Sequence, residues 1–179
     1  MTHELLSAGF GGQGVLLLGQ LIAYAGLKEE KNVSWLPSYG PEMRGGTANC
    51  SVVVSTEEVG SPVVTSPDIL VVMNRPSFEK YVDSVVPGGK MFVNSSLIDL
   101  KTDRTDIDVY YIPANQIADE LGNLRVANMV MLGAVLEQTK IVSPETAIEC
   151  LRASWGERRA HLIPINQEAM KKGAEASNK

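Results

Sequence analysis

Short apolar runs and one helical pattern organise the beginning of the chain. Glu4 to Ala8 form a mostly apolar run that ends at Gly9, and Val15 to Lys28 place apolar residues at helical spacing. Between them lies the glycine-rich loop Gly9-Phe10-Gly11-Gly12-Gln13-Gly14. A strand, a glycine-rich loop and a helix in this order are the opening of a βαβ unit.

Further strands are predicted where short segments are apolar or β-branched. These segments are Asn32 to Leu36, Thr47 to Ser55, Asp68 to Met73, Lys90 to Asn94, and Val109 to Ile112. The run at 68–73 is almost continuously apolar, which is typical of a buried central strand. Residues 37–46 contain two prolines and three glycines, so we do not expect regular structure throughout this segment.

Helical spacing dominates the last third of the chain. We predict helices at 76–86, 114–121, 125–139, 144–155 and 165–176, with Ser143 as a cap and Pro144 in the first helical position of its helix. The fold class expected for residues 1–179 is a single α/β domain. It has a Rossmann-like, mostly parallel sheet, helices on both faces and a helical C-terminal segment.

Composition and charge narrow the function classes. The chain has 179 residues, of which 44% are hydrophobic and 21% charged, and its net charge of −5 comes without a basic cluster that would bind nucleic acid. No segment resembles a signal peptide, and no apolar run reaches the roughly 20 residues that span a bilayer. The two cysteines, Cys50 and Cys150, are not in a Cys-x-x-Cys motif. These features predict a cytoplasmic protein with two reduced structural thiols.

The glycine loop is the first candidate site. Gly9, Gly11 and Gly14 satisfy the pattern G-x-G-x-x-G. Gly12 adds conformational freedom to the backbone, and Gln13 offers a side-chain amide for hydrogen bonding. Because a helix N-terminus presents free N–H groups and the positive end of its dipole, this loop suits a phosphate or another anion. A tight strand-to-helix turn without a ligand is the simpler alternative.

A nicotinamide dinucleotide is a second alternative for this loop. Such sites place an acidic residue near the end of the second strand to bind the ribose. The corresponding segment, Asn32 to Ser38, contains no Asp or Glu, and Glu29 and Glu30 come before the strand. The interpretation as an independent NAD(P)-binding oxidoreductase domain is therefore disfavoured, because the ribose-binding acidic residue is not found in this segment.

The segment Ser38-Tyr39-Gly40-Pro41-Glu42-Met43-Arg44-Gly45-Gly46-Thr47 is more informative. It follows a predicted strand, so in a parallel sheet it would lie at the carboxyl edge beside the glycine loop. Arg44 could hold a carboxylate or phosphate, and Glu42 could orient Arg44 or contact a partner. A solvated surface loop is the alternative. The candidate active-site loop residues are Tyr39, Glu42, Arg44, Gly45, Gly46 and Thr47.

Both segments resemble signature segments of the gamma subunit of 2-oxoacid:ferredoxin oxidoreductases. The similar segments are Gly9 to Val15, Ser38 to Ala48, Glu58 to Pro62, and Asn128 to Ala134. The resemblance covers nearly the whole chain, as a pyruvate/ketoisovalerate oxidoreductase gamma-type domain. The form of the second segment is most similar to enzymes that act on 2-oxoglutarate or branched 2-oxoacids.

The resemblance implies a shared enzyme. The family converts a 2-oxoacid, CoA and oxidised ferredoxin to acyl-CoA, carbon dioxide and reduced ferredoxin. Thiamine diphosphate makes the carbanion, and iron–sulfur clusters carry electrons. The implied partners are alpha and beta subunits and, where present, a delta subunit, with ferredoxin or another low-potential acceptor, and no nucleic acid or membrane. The gamma subunit is expected to pack near the CoA path.

The residues themselves agree that the chain does not act alone. Two cysteines cannot supply the four ligands of an iron–sulfur cluster, and we find no catalytic triad, no thiamine diphosphate motif and no metal site. Thiamine diphosphate, magnesium and iron–sulfur clusters are therefore expected on partner subunits, and the isolated chain is expected to be inactive.

The remaining candidates concern CoA, which we expect this chain to share with its partners. The hypothesis is that the glycine loop presents N–H groups to CoA phosphates, while the Tyr39 to Thr47 segment closes one side. Asn94 and Ser95 follow a strand and are candidate cofactor-binding residues at the same edge. Asn128 lies near a helix start, where a helix-surface role fits as well. A purely structural assembly subunit stays open as an alternative. The identity of the 2-oxoacid, the stoichiometry, the direction and the electron acceptor are also open.

Overall fold

The computed structural model of the chain describes residues 1–39 and 47–179. The six strands are β1 (Thr2–Phe10), β2 (Asn32–Tyr39), β3 (Thr47–Ser55), β4 (Ile69–Val72), β5 (Lys90–Asn94) and β6 (Asp108–Ile112). The α-helices are α1 (Val15–Lys28), α2 (Arg75–Tyr81), α3 (Ala114–Glu120), α4 (Ala127–Thr139), α5 (Pro144–Trp155) and α6 (Ile163–Ser177). Short 3-10 helices at Val82–Ser84, Leu124–Val126 and Glu157–Leu162 complete the regular elements of the described residues.

The strands form one sheet in the order β2-β3-β1-β4-β5-β6. β1, β4, β5 and β6 are parallel neighbours, whereas β3 runs antiparallel to both β1 and β2. β2 therefore points in the same direction as β1, although it does not pair with it. The predicted mostly parallel α/β sheet is confirmed, with one antiparallel strand inserted between the first and second strands of the chain.

Side chains alternate between the two faces of the sheet, and each face has its own apolar core. Ile69 and Val71 of β4 pack on the face covered by α1, α4 and the C-terminal helices. Leu70 and Val72 pack on the other face, against Phe78 of α2 and the irregular segments beyond it. Because both faces of β4 are buried, its sequence is continuously apolar, as predicted for a central strand.

Helix α4 is buried over most of its circumference because α6 crosses it closely. Ten of its 13 residues are buried. At the crossing, a Cβ atom added to Gly133 would overlap the carbonyl group of Met170, and one added to Gly173 would overlap that of Val130. The two backbones therefore approach through paired glycines, where any side chain would separate them.

Several predicted boundaries are corrected. β2 does not end at Leu36 but continues through Pro37 to Tyr39, because β2 is an edge strand and the missing N–H of Pro37 removes no bond that its pairing needs. β1 includes Gly9 and Phe10, which the sequence assigned to the loop. Among the helices of the described residues, none combines the length and apolar character needed to cross a bilayer.

Candidate functional site

The carboxyl ends of β1 and β4 form the point where the sheet changes its winding direction. The chain leaves β1 through α1, on one face, towards β2. It leaves β4 through α2, on the opposite face, towards β5. Open α/β sheets bind their ligands in the crevice that such a reversal leaves beyond the strand ends.

The glycine loop lies at this reversal and needs its glycines. Gly12 and Gly14 have φ angles of +92° and +77°, in the left-handed region that favours glycine. A Cβ atom on Gly9 would lie 2.9 Å from the Cβ of Met73, which follows β4. The loop therefore packs closely against the end of the neighbouring strand.

Gln13 holds the loop in shape with both ends of its amide. Its Oε1 accepts a hydrogen bond from the Phe10 N–H at 2.6 Å, and its Nε2 donates to the Met73 carbonyl at 3.1 Å. The amide that the sequence offered to a ligand thus has partners within the protein. Gln13 connects the end of β1 to the end of β4.

Asn128 reaches the same loop from the first turn of α4. It is buried, and its Nδ2 donates to the Gly14 carbonyl at 3.2 Å. The Leu18 N–H donates to the same carbonyl at 3.1 Å. The structure therefore brings together the loop and Asn128, which are 114 residues apart in sequence.

The N-terminus of α1 has an electrostatic environment that favours an anion. It has no side-chain cap, and the first turn of the helix contains no acidic residue. Within the described part of the chain, the N–H groups of Gly12, Gly14 and Val15 donate no hydrogen bond. These groups and the helix dipole favour negative charge at this position.

Two crevices open on either side of the loop. One, of about 250 Å³, is lined by Gly12, Gln13, Met73, Asn115, Leu124, Arg125 and Ala127. The other, of about 220 Å³, is lined by Phe10, Gly11, Gly12, Gly14, Val15, Leu16 and Ala48. Neither lining, as the described residues form it, contains an Asp or Glu, and the first contains the exposed Arg125. Sequence reasoning missed Arg125 and Asn115, because only folding brings them beside the loop.

Asn94 and Ser95 lie at the same rim, but neither is beside the glycine loop. Asn94 is fully buried, and its Nδ2 donates to Oδ1 of Asn115 at 2.8 Å. Since Asn115 lines the first crevice, Asn94 contacts this crevice through Asn115. The backbone N–H of Ser95 donates to the Ile112 carbonyl at 2.9 Å, which extends the β5–β6 pairing. β4 separates both residues from the glycine loop.

The second candidate segment begins and ends at this rim. Tyr39 ends β2 opposite Ala48, and the exposed Thr47 starts β3 opposite Phe10, the last residue of β1. Glu42, Arg44, Gly45 and Gly46 lie outside the described residues, as does the side chain of Tyr39. The described ends of both candidate loops therefore lie side by side at the carboxyl edge of the sheet.

The strand order weakens the dinucleotide interpretation. In dinucleotide-binding units the second strand pairs directly beside the first, which brings the ribose-binding acid next to the glycine loop. Here β3 lies between β1 and β2, so the end of β2 is displaced by one strand. Within the described residues, β2 itself also contains no acidic side chain.

Reactive side chains are scarce around the loop. Within the part of the chain that the structure describes, no group of three His, Cys, Asp or Glu residues is arranged to hold a metal ion. Cys50 and Cys150 are free and buried, and burial raises the pKa of the Cys50 thiol to about 12. Cys50 is therefore a protonated core thiol and not a nucleophile. The described site can bind and orient an anion, but it offers no group for covalent or redox chemistry.

A larger groove of about 360 Å³ lies elsewhere, between α4, α5 and α6. Its apolar part is formed by Ile148 and Met170, and several charged side chains surround it. None of its lining residues belongs to the strand ends or to the glycine loop. We therefore place the candidate site at the loop, where free backbone donors and the reversal of the sheet coincide.

Comparison with known proteins connects this geometry to a family. The family model described as pyruvate ferredoxin/flavodoxin oxidoreductase matches residues 4–176. The chain is 38% identical over 169 residues to ketoisovalerate oxidoreductase subunit VorA from Methanothermobacter thermautotrophicus, covering 94% of this chain. It is 41% identical over 149 residues to 2-oxoglutarate synthase subunit KorC from Methanocaldococcus jannaschii, covering 82% of this chain.

A solved structure shares the fold over almost the whole chain. It is a 2-oxoglutarate:ferredoxin oxidoreductase from Magnetococcus marinus with 2-oxoglutarate, coenzyme A and succinyl-CoA bound, with a TM-score of 0.89 and 28% identity over 99% of this chain. The chain spans only 31% of that protein chain and 35% of VorA, but 80% of KorC. The fold therefore occurs both within longer chains and as most of a shorter subunit.

Proposed function

Because this chain belongs to the pyruvate ferredoxin/flavodoxin oxidoreductase family, we propose that it is the gamma subunit of a 2-oxoacid:ferredoxin oxidoreductase. The complex converts 2-oxoglutarate or a branched 2-oxoacid, together with CoA and oxidised ferredoxin, to acyl-CoA, carbon dioxide and reduced ferredoxin. KorC and VorA, which are named for 2-oxoglutarate and ketoisovalerate enzymes, support this substrate class.

One observation carries the CoA role of this chain. Gly12, whose N–H forms no hydrogen bond among the described residues, lines the same crevice as Arg125, and the described lining of this crevice contains no carboxylate. Gly14 and Val15, whose N–H groups are also free, line the neighbouring crevice on the other side of Gly12. A crevice with a free backbone N–H, an arginine and no carboxylate suits the phosphate groups of CoA. The Magnetococcus marinus relative, which is solved with coenzyme A bound, supports this ligand.

In this proposal the chain binds and orients CoA while partner subunits perform the chemistry. Thiamine diphosphate, magnesium and iron–sulfur clusters would be held by the alpha and beta subunits and, where present, a delta subunit, and they would supply the decarboxylation and electron-transfer chemistry. Two buried cysteines in the whole sequence cannot ligate such a cluster. Their reduced state supports assembly in the cytoplasm.

The rim of the candidate site supports contact with partner subunits. Phe10, Leu97 and Leu124 are exposed large hydrophobic residues that lie at or just beyond the carboxyl ends of the strands. Apolar residues around a binding crevice are typical of a surface that a second protein covers. In the proposed complex, the thiamine-binding subunits lie against this rim and bring the acyl group to the CoA thiol.

The test uses the complex assembled with its partner subunits. Formation of acyl-CoA is measured with 2-oxoglutarate and with ketoisovalerate while CoA is varied. Arg125→Ala is expected to raise the KM for CoA about tenfold, which corresponds to one charge-assisted hydrogen bond. Lys28→Ala, which removes a cation from the opposite end of α1, is the matched control and should leave this KM unchanged.

Three outcomes would contradict the proposal. The first is an Arg125→Ala complex whose KM for CoA equals that of the wild type. The second is acyl-CoA formation by the isolated chain. The third concerns Arg44, which lies outside the described residues. If Arg44→Ala leaves the dependence on both CoA and 2-oxoacid unchanged, the role given to Arg44 is discarded. Loss of assembly without any change in KM would instead indicate a purely structural subunit.

A further inference from the structure

Asn128 is an unusual residue for its position in the fold. It lies in the first turn of α4 between the buried residues Ala127 and Met129, and its own side chain is only 4% exposed. Burying an amide costs free energy unless it forms hydrogen bonds. Within the described residues its amide forms one hydrogen bond, from Nδ2 to the carbonyl of Gly14.

This hydrogen bond acts on a single peptide unit of the glycine loop. The Gly14 carbonyl accepts from both Asn128 Nδ2 at 3.2 Å and the Leu18 N–H at 3.1 Å. In a trans peptide the C=O and the following N–H point in opposite directions. Holding the Gly14 carbonyl towards α1 and α4 therefore points the Val15 N–H away from both helices, at the open end of the loop.

The packing around Gly14 makes the arrangement specific. Gly14 has a φ angle of +77°, and a Cβ atom placed on it would lie 2.7 Å from Cγ of Asn128. The absence of a side chain at position 14 is what lets the amide reach the carbonyl. Glycine at this position and asparagine at position 128 thus form a complementary pair.

We propose that Asn128 is a positioning residue, which orients the Gly14–Val15 peptide so that the Val15 N–H is directed at the anionic ligand. The inference rests on the proposed function, because it assigns a role within the same CoA site. Asn128 acts through the loop and does not need to touch the ligand. It also links α4, and through it the C-terminal helices, to the geometry of the glycine loop.

The test replaces the amide without emptying its place. Asn128→Leu keeps a similar volume and shape but has no donor, whereas Asn128→Ala also removes the volume. Both are assembled into the complex and assayed for the KM of CoA, the KM of the 2-oxoacid and kcat. Both are expected to raise the KM for CoA by about five- to tenfold, the effect of one lost hydrogen bond, with the other two parameters near wild type.

Gln138→Ala is the matched control because it removes an amide from the opposite end of the same helix. Gln138 Nε2 donates to Ser177 and Asn178 of the C-terminal segment. This control is expected to lower the stability of the complex without changing the KM for CoA. Amide hydrogen exchange gives a second measurement: a peptide spanning the glycine loop should exchange faster in Asn128→Leu but not in Gln138→Ala.

The outcomes separate this inference from the proposed function. An unchanged KM for CoA in Asn128→Leu overturns the positioning role, even if Asn128→Ala is impaired, since packing alone would then explain the position. If Arg125→Ala raises that KM while the Asn128 variants do not, only the positioning role fails. If neither has an effect, the CoA role of the chain fails as well. Should Asn128→Leu not assemble, Asn128→Ser is judged by the same criteria.

Discussion

The crossing of α4 and α6 gives a sharp test of how this fold is held together. Replacing Gly133 by Ala adds one methyl group, which would overlap the backbone carbonyl of Met170. Ala is favoured over Gly inside a helix by about 1 kcal/mol, so the propensity change alone would stabilise the protein. Whether Gly133→Ala stabilises or destabilises the protein therefore depends on the steric cost at the helix crossing.

The expected magnitude follows from what surrounds the added methyl group. Overpacking a core typically costs about 1–3 kcal/mol, and the upper end applies here because a backbone carbonyl cannot rotate away as a side-chain end can. Subtracting the propensity gain leaves a net destabilisation of roughly 2 kcal/mol. The same clash would arise from the other helix, since a Cβ atom on Gly173 would overlap Val130.

Urea unfolding followed by far-UV circular dichroism measures the change. The matched control is Gly60→Ala, the same chemical substitution at a glycine with no atom within 4 Å of the added Cβ and no left-handed φ angle. This control should be neutral or slightly stabilising, by up to about 1 kcal/mol. A Gly133→Ala protein at least as stable as Gly60→Ala, with an unchanged denaturant dependence, would refute the close-crossing argument.

Three further predictions concern single contacts. Burial raises the pKa of Cys50 to about 12 and also raises the pKa of Cys150, so both thiols stay protonated at mildly alkaline pH. Alkylation of the two thiols should therefore be slow in the native protein and rapid after unfolding. Fast labelling of Cys50 in the native protein would contradict its burial. The side chain of Asn74 caps α2 by accepting a hydrogen bond from the N–H of Ser77. Asn74→Ala should lower the free energy of unfolding by about 1 kcal/mol and Asn74→Ser by less than half of that, and equal losses would argue against the cap. A double-mutant cycle on the exposed pair of Lys28 and Glu149 should show little or no coupling, because solvent screens surface ion pairs, and a clear coupling would show that this pair is not an ordinary surface ion pair.

Local patterns determined much of the architecture. Four elements have the predicted bounds: the helices Val15–Lys28 and Pro144–Trp155 and the strands Thr47–Ser55 and Lys90–Asn94. The first strand also lies where its apolar run predicted, although it extends to Phe10. These features can be read locally because strand alternation, helical spacing and caps involve residues within a few positions of each other. The family resemblance was likewise carried by segments that are each short in sequence.

The order of the strands could not be read in this way. Parallel and antiparallel strands have the same alternation of side chains, so nothing in residues 47–55 indicates that β3 inserts in reverse between β2 and β1. The extent of β2 was underestimated for a related reason. Pro37 is a poor strand residue except at an edge, and only the complete sheet shows that β2 is an edge.

The features of the candidate site also separate into those that a local pattern predicts and those that depend on the fold. That a glycine loop opens a helix and suits an anion could be predicted from the residues alone, because it follows from the geometry of one turn. The internal use of Gln13, the place of Arg125 in the crevice and the hydrogen bond from Asn128 to Gly14 became visible only in the folded chain. The contacts of Gln13 with Met73 and of Asn128 with Gly14 join residues 60 and 114 positions apart, so they depend on how whole elements pack, and no local pattern encodes that packing.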